Sequence, residues 1–103
     1  MTVIDQILKI MEPSPQSLRK LIPNISAQEI RTVLAVVGWR RNMVSNMGLL
    51  DETDAYARAA DSLVVSRDSI RLAAGEMTRG EMNAVMDVMA WCADTLMKHN
   101  SKH

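Results

Sequence analysis

The sequence predicts an all-α fold, and three observations carry the prediction. Apolar residues recur at spacings of three and four along most of the chain, and no long run alternates apolar with polar residues. The four glycines and three prolines fall at plausible element boundaries or near the N-terminus. Serine or threonine followed three residues later by glutamate occurs twice, each time ahead of an apolar-periodic run. The composition agrees. Hydrophobic residues make up 48%, which is enough for a packed core and too much for disorder. With no Phe, one Tyr and two Trp, core volume must come from Leu, Ile, Val, Ala and nine Met. At 103 residues a single helical domain over 1–103 is expected, with a basic part (1–48) and an acidic part (51–100).

Five helices are expected in order. Thr2 caps the first, with Ile4, Ile7, Leu8 and Met11 on one face, and Pro13 ends it. Ser14-Pro15 supplies N-cap and N1 of a short second helix, where proline's missing N–H is no loss. Leu18, Leu21 and Ile22 form its apolar side, and Pro23-Asn24 stops it. Ser26-Ala27-Gln28-Glu29 is a capping box opening a third helix with Ile30, Val33, Leu34 and Val37 on one face. This helix ends either at Gly38 or, if the pattern resumes at Val44, Met47 and Leu50, near Gly48. The longer form is preferred, because 39–47 do not alternate cleanly and Gly48 is the better stop. The acid-rich 51–54 suits the positive end of a helix dipole and opens a fourth helix. It places Tyr56, Leu63, Ile70 and Met77 seven apart, with Ala60, Arg67 and Ala74 between, a narrow bundle seam that ends near Gly75. Thr78-Arg79-Gly80-Glu81 is the second capping box. The last helix carries Met82, Val85, Met86, Met89, Ala93 and Leu96 on one stripe, ends near His99 and Asn100, and leaves a frayed tail at 101–103. The architecture expected is two short N-terminal helices plus a three-helix bundle whose last two helices form an antiparallel hairpin.

Charge and cysteine content exclude several function classes. The net charge is zero, which argues against a generic nucleic-acid coat or a polybasic membrane binder. The charge is uneven: residues 1–45 carry six basic and three acidic groups, and residues 46–103 carry six basic and nine acidic groups. A single cysteine, Cys92, rules out an intrachain disulfide and a multi-cysteine metal site, and suits a reducing cytosol. No secretory signal pattern and no apolar run of about 20 residues is present, so a cytoplasmic protein is expected.

The strongest candidate for function lies in residues 15–41. Two helices at 15–22 and 27–37 flank a turn, Asn24-Ile25-Ser26, in which Ile25 plugs the corner. Ala27, Gln28, Arg31 and Thr32 are expected to face outward, and Gln, Arg and Thr are types that read base edges or hold phosphate. The stretch Leu18-Arg-Lys-Leu-Ile-Pro-Asn-Ile-Ser-Ala-Gln-Glu-Ile-Arg-Thr-Val-Leu resembles the helix-turn-helix of winged-helix regulators. Gly38-Trp39-Arg40-Arg41 looks like the passage into a wing. The resemblance implies DNA binding through the second helix. It covers about a quarter of the chain, and residues 42–50 offer no hairpin where a wing should follow. Two adjacent helices of a bundle produce the same apolar spacing. Trp39, Arg40 and Arg41 form a basic and aromatic cluster suited to phosphate or to an acidic partner, or a plain helix flank with Trp39 packed inward.

Other features admit two readings as well. Met77, Met82, Met86, Met89 and Met97 suit an adaptable partner groove or homodimer contact, but equally a core without phenylalanine. Tyr56, Leu63, Arg67 and Ile70 with Met82, Met86 and Met89 form a candidate oligomer seam, in which Arg67 pairs with Asp87 or marks a polar contact. Catalytic equipment is scarce. His99 and His103 are the only histidines, and Cys92 and His99 lie about two turns apart. The carboxylate pairs Asp51/Asp54 and Asp61/Asp68 carry no further motif. There is no Glu-x-x-His pair and no glycine-rich phosphate loop, so no cofactor, metal or small-molecule substrate is expected. The leading expectation is a non-enzymatic regulatory protein that acts through a protein partner or self-association. The alternative is a helix-turn-helix DNA-binding regulator with a C-terminal dimerisation hairpin. Small size and dense capping resemble in style the accessory proteins of phages and mobile elements.

Overall fold

Helix starts along this chain are set by local side-chain caps, and the computed structural model describes residues 2–49 and 54–100, Asn100 by its backbone alone. The acid-rich residues 51–53, Leu50 and the tail 101–103 with His103 lie outside the described residues. Among those described, six α-helices form and no strand: α1 (Val3–Ile10), α2 (Pro15–Leu21), α3 (Ala27–Ser45), α4 (Ala55–Asp61), α5 (Arg67–Ala74) and α6 (Arg79–Asn100).

The capping logic holds at the expected positions. Thr2 and Asp5 form a reciprocal box on α1, and those hydrogen bonds hold the Asp5 carboxyl below its ordinary pKa. Ser14 caps α2 with Pro15 at N1. Ser26 and Glu29 form the box on α3, at 3.1 and 2.8 Å. Thr78 and Glu81 form another on α6, at 2.9 and 3.1 Å. α3 runs through Gly38 without a break and buries Ile30, Val33, Val36, Val37 and Val44. Gly48 lies just beyond it in the left-handed region, φ +70°, as a stop should. Asp54, by contrast, makes no side-chain cap on α4.

One expectation is corrected. The single fourth helix is two, so there are six helices among the described residues and not five. The chain turns at Ser62 and Leu63, whose amides bond back to Arg58 and Ala60. A continuous helix would give the Ser62 carbonyl to the amide of Ser66. Here Arg40 takes that carbonyl through Nε at 2.8 Å and through Nη2. Ser66 instead caps α5, accepting from the Ser69 amide at 3.1 Å. The β-branched Val64-Val65 between them favours helix weakly.

The break rearranges the packing. α6 lies mainly against α4 and α3, α1 touches α3, α4 and α6, and α5 leans on α3. The antiparallel hairpin expected of the last two helices is therefore not formed by α5 and α6; α4 is the main partner of α6. At about 1.5 Å per residue, the 22 residues of α6 run to about 33 Å, against a longest dimension of 38 Å. The shortest dimension, 18 Å, is about two helix layers. The core between the layers is aliphatic: Ile7, Met11, Leu18, Val33, Val37, Val44, Leu49, Ile70, Val85, Met89 and Leu96 are each 2% exposed or less.

Candidate functional site

The residues singled out between α2 and α3 have separate fates. Gln28 and Arg31 are exposed on the first turns of α3, and Arg31 donates to the Gln28 side chain at 2.7 Å. Thr32 does not face outward as expected. It is half-buried, and its hydroxyl bonds the Glu81 carboxylate of α6 and the Gln28 carbonyl. Glu81 is only 8% exposed. Hydrogen bonds from the Thr32 hydroxyl, then the Thr78 backbone and side chain, lower its pKa to about 2. The starts of α3 and α6 are thus joined through a carboxylate that stays ionised.

Arg40 and Arg41 are committed to helix ends. Arg40 holds the Ser62 carbonyl after α4, with its guanidinium 4.7 Å from the ring of half-buried Trp39. Arg41 donates to the Leu8 carbonyl at 3.0 Å and pairs with Glu12 at 3.4 Å. The last four carbonyls of α1 have no partner within the helix, as at any helix end. Ile7 and Lys9 are served by the amides of Met11 and Glu12. Leu8 is served by Arg41, and Ile10 by the Cys92 thiol at 3.9 Å. Two cations at the negative ends of two helices are a stabilising arrangement that engages part of their hydrogen-bonding capacity.

The expected oligomer seam is interior to the chain. Tyr56, Leu63, Ile70, Met82 and Met89 are buried, and Met86 is half-buried. Tyr56 bonds Gln6 and stacks on His99, ring centroids 5.7 Å apart. Arg67 is exposed at the first residue of α5 and forms no ion pair with Asp87. Cys92 is fully buried, which pushes its thiol up to about 11, and His99 faces Tyr56 instead of it. No group of three or more His, Cys, Asp or Glu able to hold a metal occurs among the described residues. No helix among them is long and apolar enough to cross a membrane.

Two surfaces were not read from the sequence. On the first, Leu21 of α2 and Trp91 of α6 are each 38% exposed and border one shallow cleft of about 290 Å³, with Ser17 and Lys20. Leu21 had been expected on the inner face of α2. The second is a cleft of about 500 Å³ between α5 and the start of α6, lined by Arg67, Arg71, Met77, Thr78, Arg79, Met82 and Asn83. It opens because α5 leans on α3 and leaves the side of α6. The i, i+4 spacing of Arg67 and Arg71 was a usable signal, but a continuous fourth helix hid it inside a seam.

No protein family, curated protein or solved structure matches this chain.

Proposed function

We propose that this is a non-enzymatic regulatory protein that works by protein–protein contact, made through the Leu21–Trp91 face. The observation that carries the reading is the make-up of that face. Two large apolar side chains, each more than a third exposed, share one cleft, and a solvated tryptophan beside leucine is the kind of anchor on which interfaces are built. The rim is bipolar. α2 contributes Arg19 and Lys20 and no acid. On α6, the exposed Asp87 and Asp94 lie one turn to either side of Trp91.

The occupant that fits is a second copy of this chain. A two-fold contact sets each patch against itself, so the basic edge of one copy meets the acidic edge of the other around a shared apolar centre. Sedimentation equilibrium tests this. A dimer is expected, and Trp91→Asp or Leu21→Asp should each yield a monomer with unchanged helix content. A monomer up to about 1 mM protein, the weak end of specific association, overturns the reading, as does a dimer untouched by both substitutions.

A second reading has one observation in its favour: Gln28 and Arg31 remain exposed at the start of a helix that follows a short helix and a turn. A dimer would carry two such helices, as helix-turn-helix regulators do. The reading has lost Thr32, Arg40 and Arg41 to internal bonds. Binding to genomic fragments at two salt concentrations separates the readings. Retention that falls with salt and is weakened by Arg31→Ala would favour DNA.

A further inference from the structure

The cleft between α5 and α6 ends at Asn83, eight residues or about 12 Å along α6 from Trp91, and nothing in the contact reading accounts for it. It sits in the acidic half of the chain, yet three arginines line it and no described acidic residue does. Arg71 pairs at 3.1 Å with Asp68, which is 91% exposed and outside the lining. Arg67 and Arg79 form no ion pair among the described residues. Gathering guanidinium groups on one concave surface costs repulsion that packing does not repay, since Arg67 and Arg79 are both exposed. Two of the neighbouring acids are held in helix caps, and the exposed Glu76, beside Met77 in the chain, is not in the lining. Glu81 is bonded to Thr32 and Thr78, and Glu29 to the Ser26 amide.

We propose that this cleft binds the phosphate groups of a small phosphorylated ligand. Arginine's planar fork matches phosphate oxygens two at a time, which a lysine cluster would not. The Thr78 hydroxyl is already engaged with Glu81, so the uncharged donor left to the cleft is the exposed side-chain amide of Asn83. Met77 and Met82 form an apolar floor for the rest of the ligand. A volume of about 500 Å³ is of small-molecule size. A nucleic-acid strand carries the same phosphate chemistry, but the basic residues of the lining are confined to Arg67, Arg71 and Arg79, room for one or two phosphates and not for a strand.

The test is titration calorimetry of the full chain with inorganic pyrophosphate, ADP and a 12-nucleotide single strand, at constant ionic strength in chloride. Saturable binding of pyrophosphate below about 1 mM is expected, with ADP tighter through the methionine floor. Arg67→Gln and Arg79→Gln should each weaken it about tenfold, the effect of losing one charge-assisted hydrogen bond. Their circular dichroism melts should match the parent, because both side chains are exposed. Amide shifts at Thr78 and Asn83 on adding pyrophosphate should map the site. No saturable binding up to about 10 mM, far weaker than a specific site, overturns the proposal. So does an affinity unchanged in the double substitution. An oligonucleotide that binds more tightly than ADP, is displaced by pyrophosphate and is weakened by Arg67→Gln assigns the cleft to nucleic acid instead. Because the two faces are separate, the oligomeric state of Trp91→Asp does not bear on this result.

Discussion

Glu81 shows how much a single side chain can be asked to do. The spacing Thr78-x-x-Glu81 announced it as a capping residue, and it is one. Its second carboxylate oxygen does what no local motif signals, accepting from Thr32 on α3, 49 residues away. That extra bond fixes the sign of a pH dependence. The folded pKa, about 2, lies below the ordinary 4.5. The stabilisation is therefore complete above about 4.5 and is lost as pH falls from there towards 2. The melting temperature of the native chain should fall over that window, and Glu81→Gln should flatten that part of the curve. Parallel curves for the two proteins would show that the carboxylate does not couple the helices. Arg40 and Arg41 teach the converse. As a sequence they are a basic pair beside Trp39; in the fold they are donors to the Ser62 and Leu8 carbonyls. Their partners lie 22 and 33 residues away, beyond any spacing argument.

Elements are where glycine separates two physical cases. Gly38 sits inside α3, and a methyl added there would meet nothing within 4 Å. Gly75 ends α5 with φ +85° and ψ −170°, a region nearly closed to other residues. Gly38→Ala should stabilise by about 0.5–1 kcal/mol through the lower backbone entropy of the unfolded chain. Gly75→Ala should destabilise by about 1–3 kcal/mol, although open space surrounds it as well. Urea midpoints measured on both variants decide the matter, and shifts of the same sign would refute the assignment of α3 as unbroken at Gly38. The same scale explains the miscounted helix. Tyr56, Leu63, Ile70 and Met77 keep a seven-residue spacing that reads as one seam. Three of them are indeed inward: Tyr56, Leu63 and Ile70 are all buried. Leu63 is buried from a turn, however, and apolar spacing alone does not say whether the backbone between two inward residues is helical. The cap at Ser66 was a local signal and was available.

For the whole molecule, the layered packing leaves Cys92 at 0% exposure between α6 and the end of α1. Burial holds the thiol up to about 11, so at neutral pH it is neither ionised nor reachable. Labelling by a water-soluble thiol reagent should require opening of the bundle. Its rate should then rise with urea in step with the loss of helical signal. Rapid labelling of the folded protein at pH 7 would mean that α1 detaches independently. The smaller open cleft is also a property of the whole molecule, since it is bounded by α2 and α6, elements far apart in the chain.

The sequence by itself determined that the chain is helical, where α1, α2, α3 and α6 begin, and most of the aliphatic core; it favoured, without deciding, that α3 passes Gly38. These follow from interactions within four residues, caps and periodicity, that any single sequence displays. The tertiary structure alone decided the division of the fourth helix, the pairing of α4 with α6, the use of Arg40 and Arg41 as caps for other helices, and the gathering of three arginines in one cleft. The physical reason is plainest for the break in the fourth helix and for the two arginines. A helix end leaves carbonyls without partners, and whichever side chain the packing brings near them determines where the backbone turns and which charges remain free.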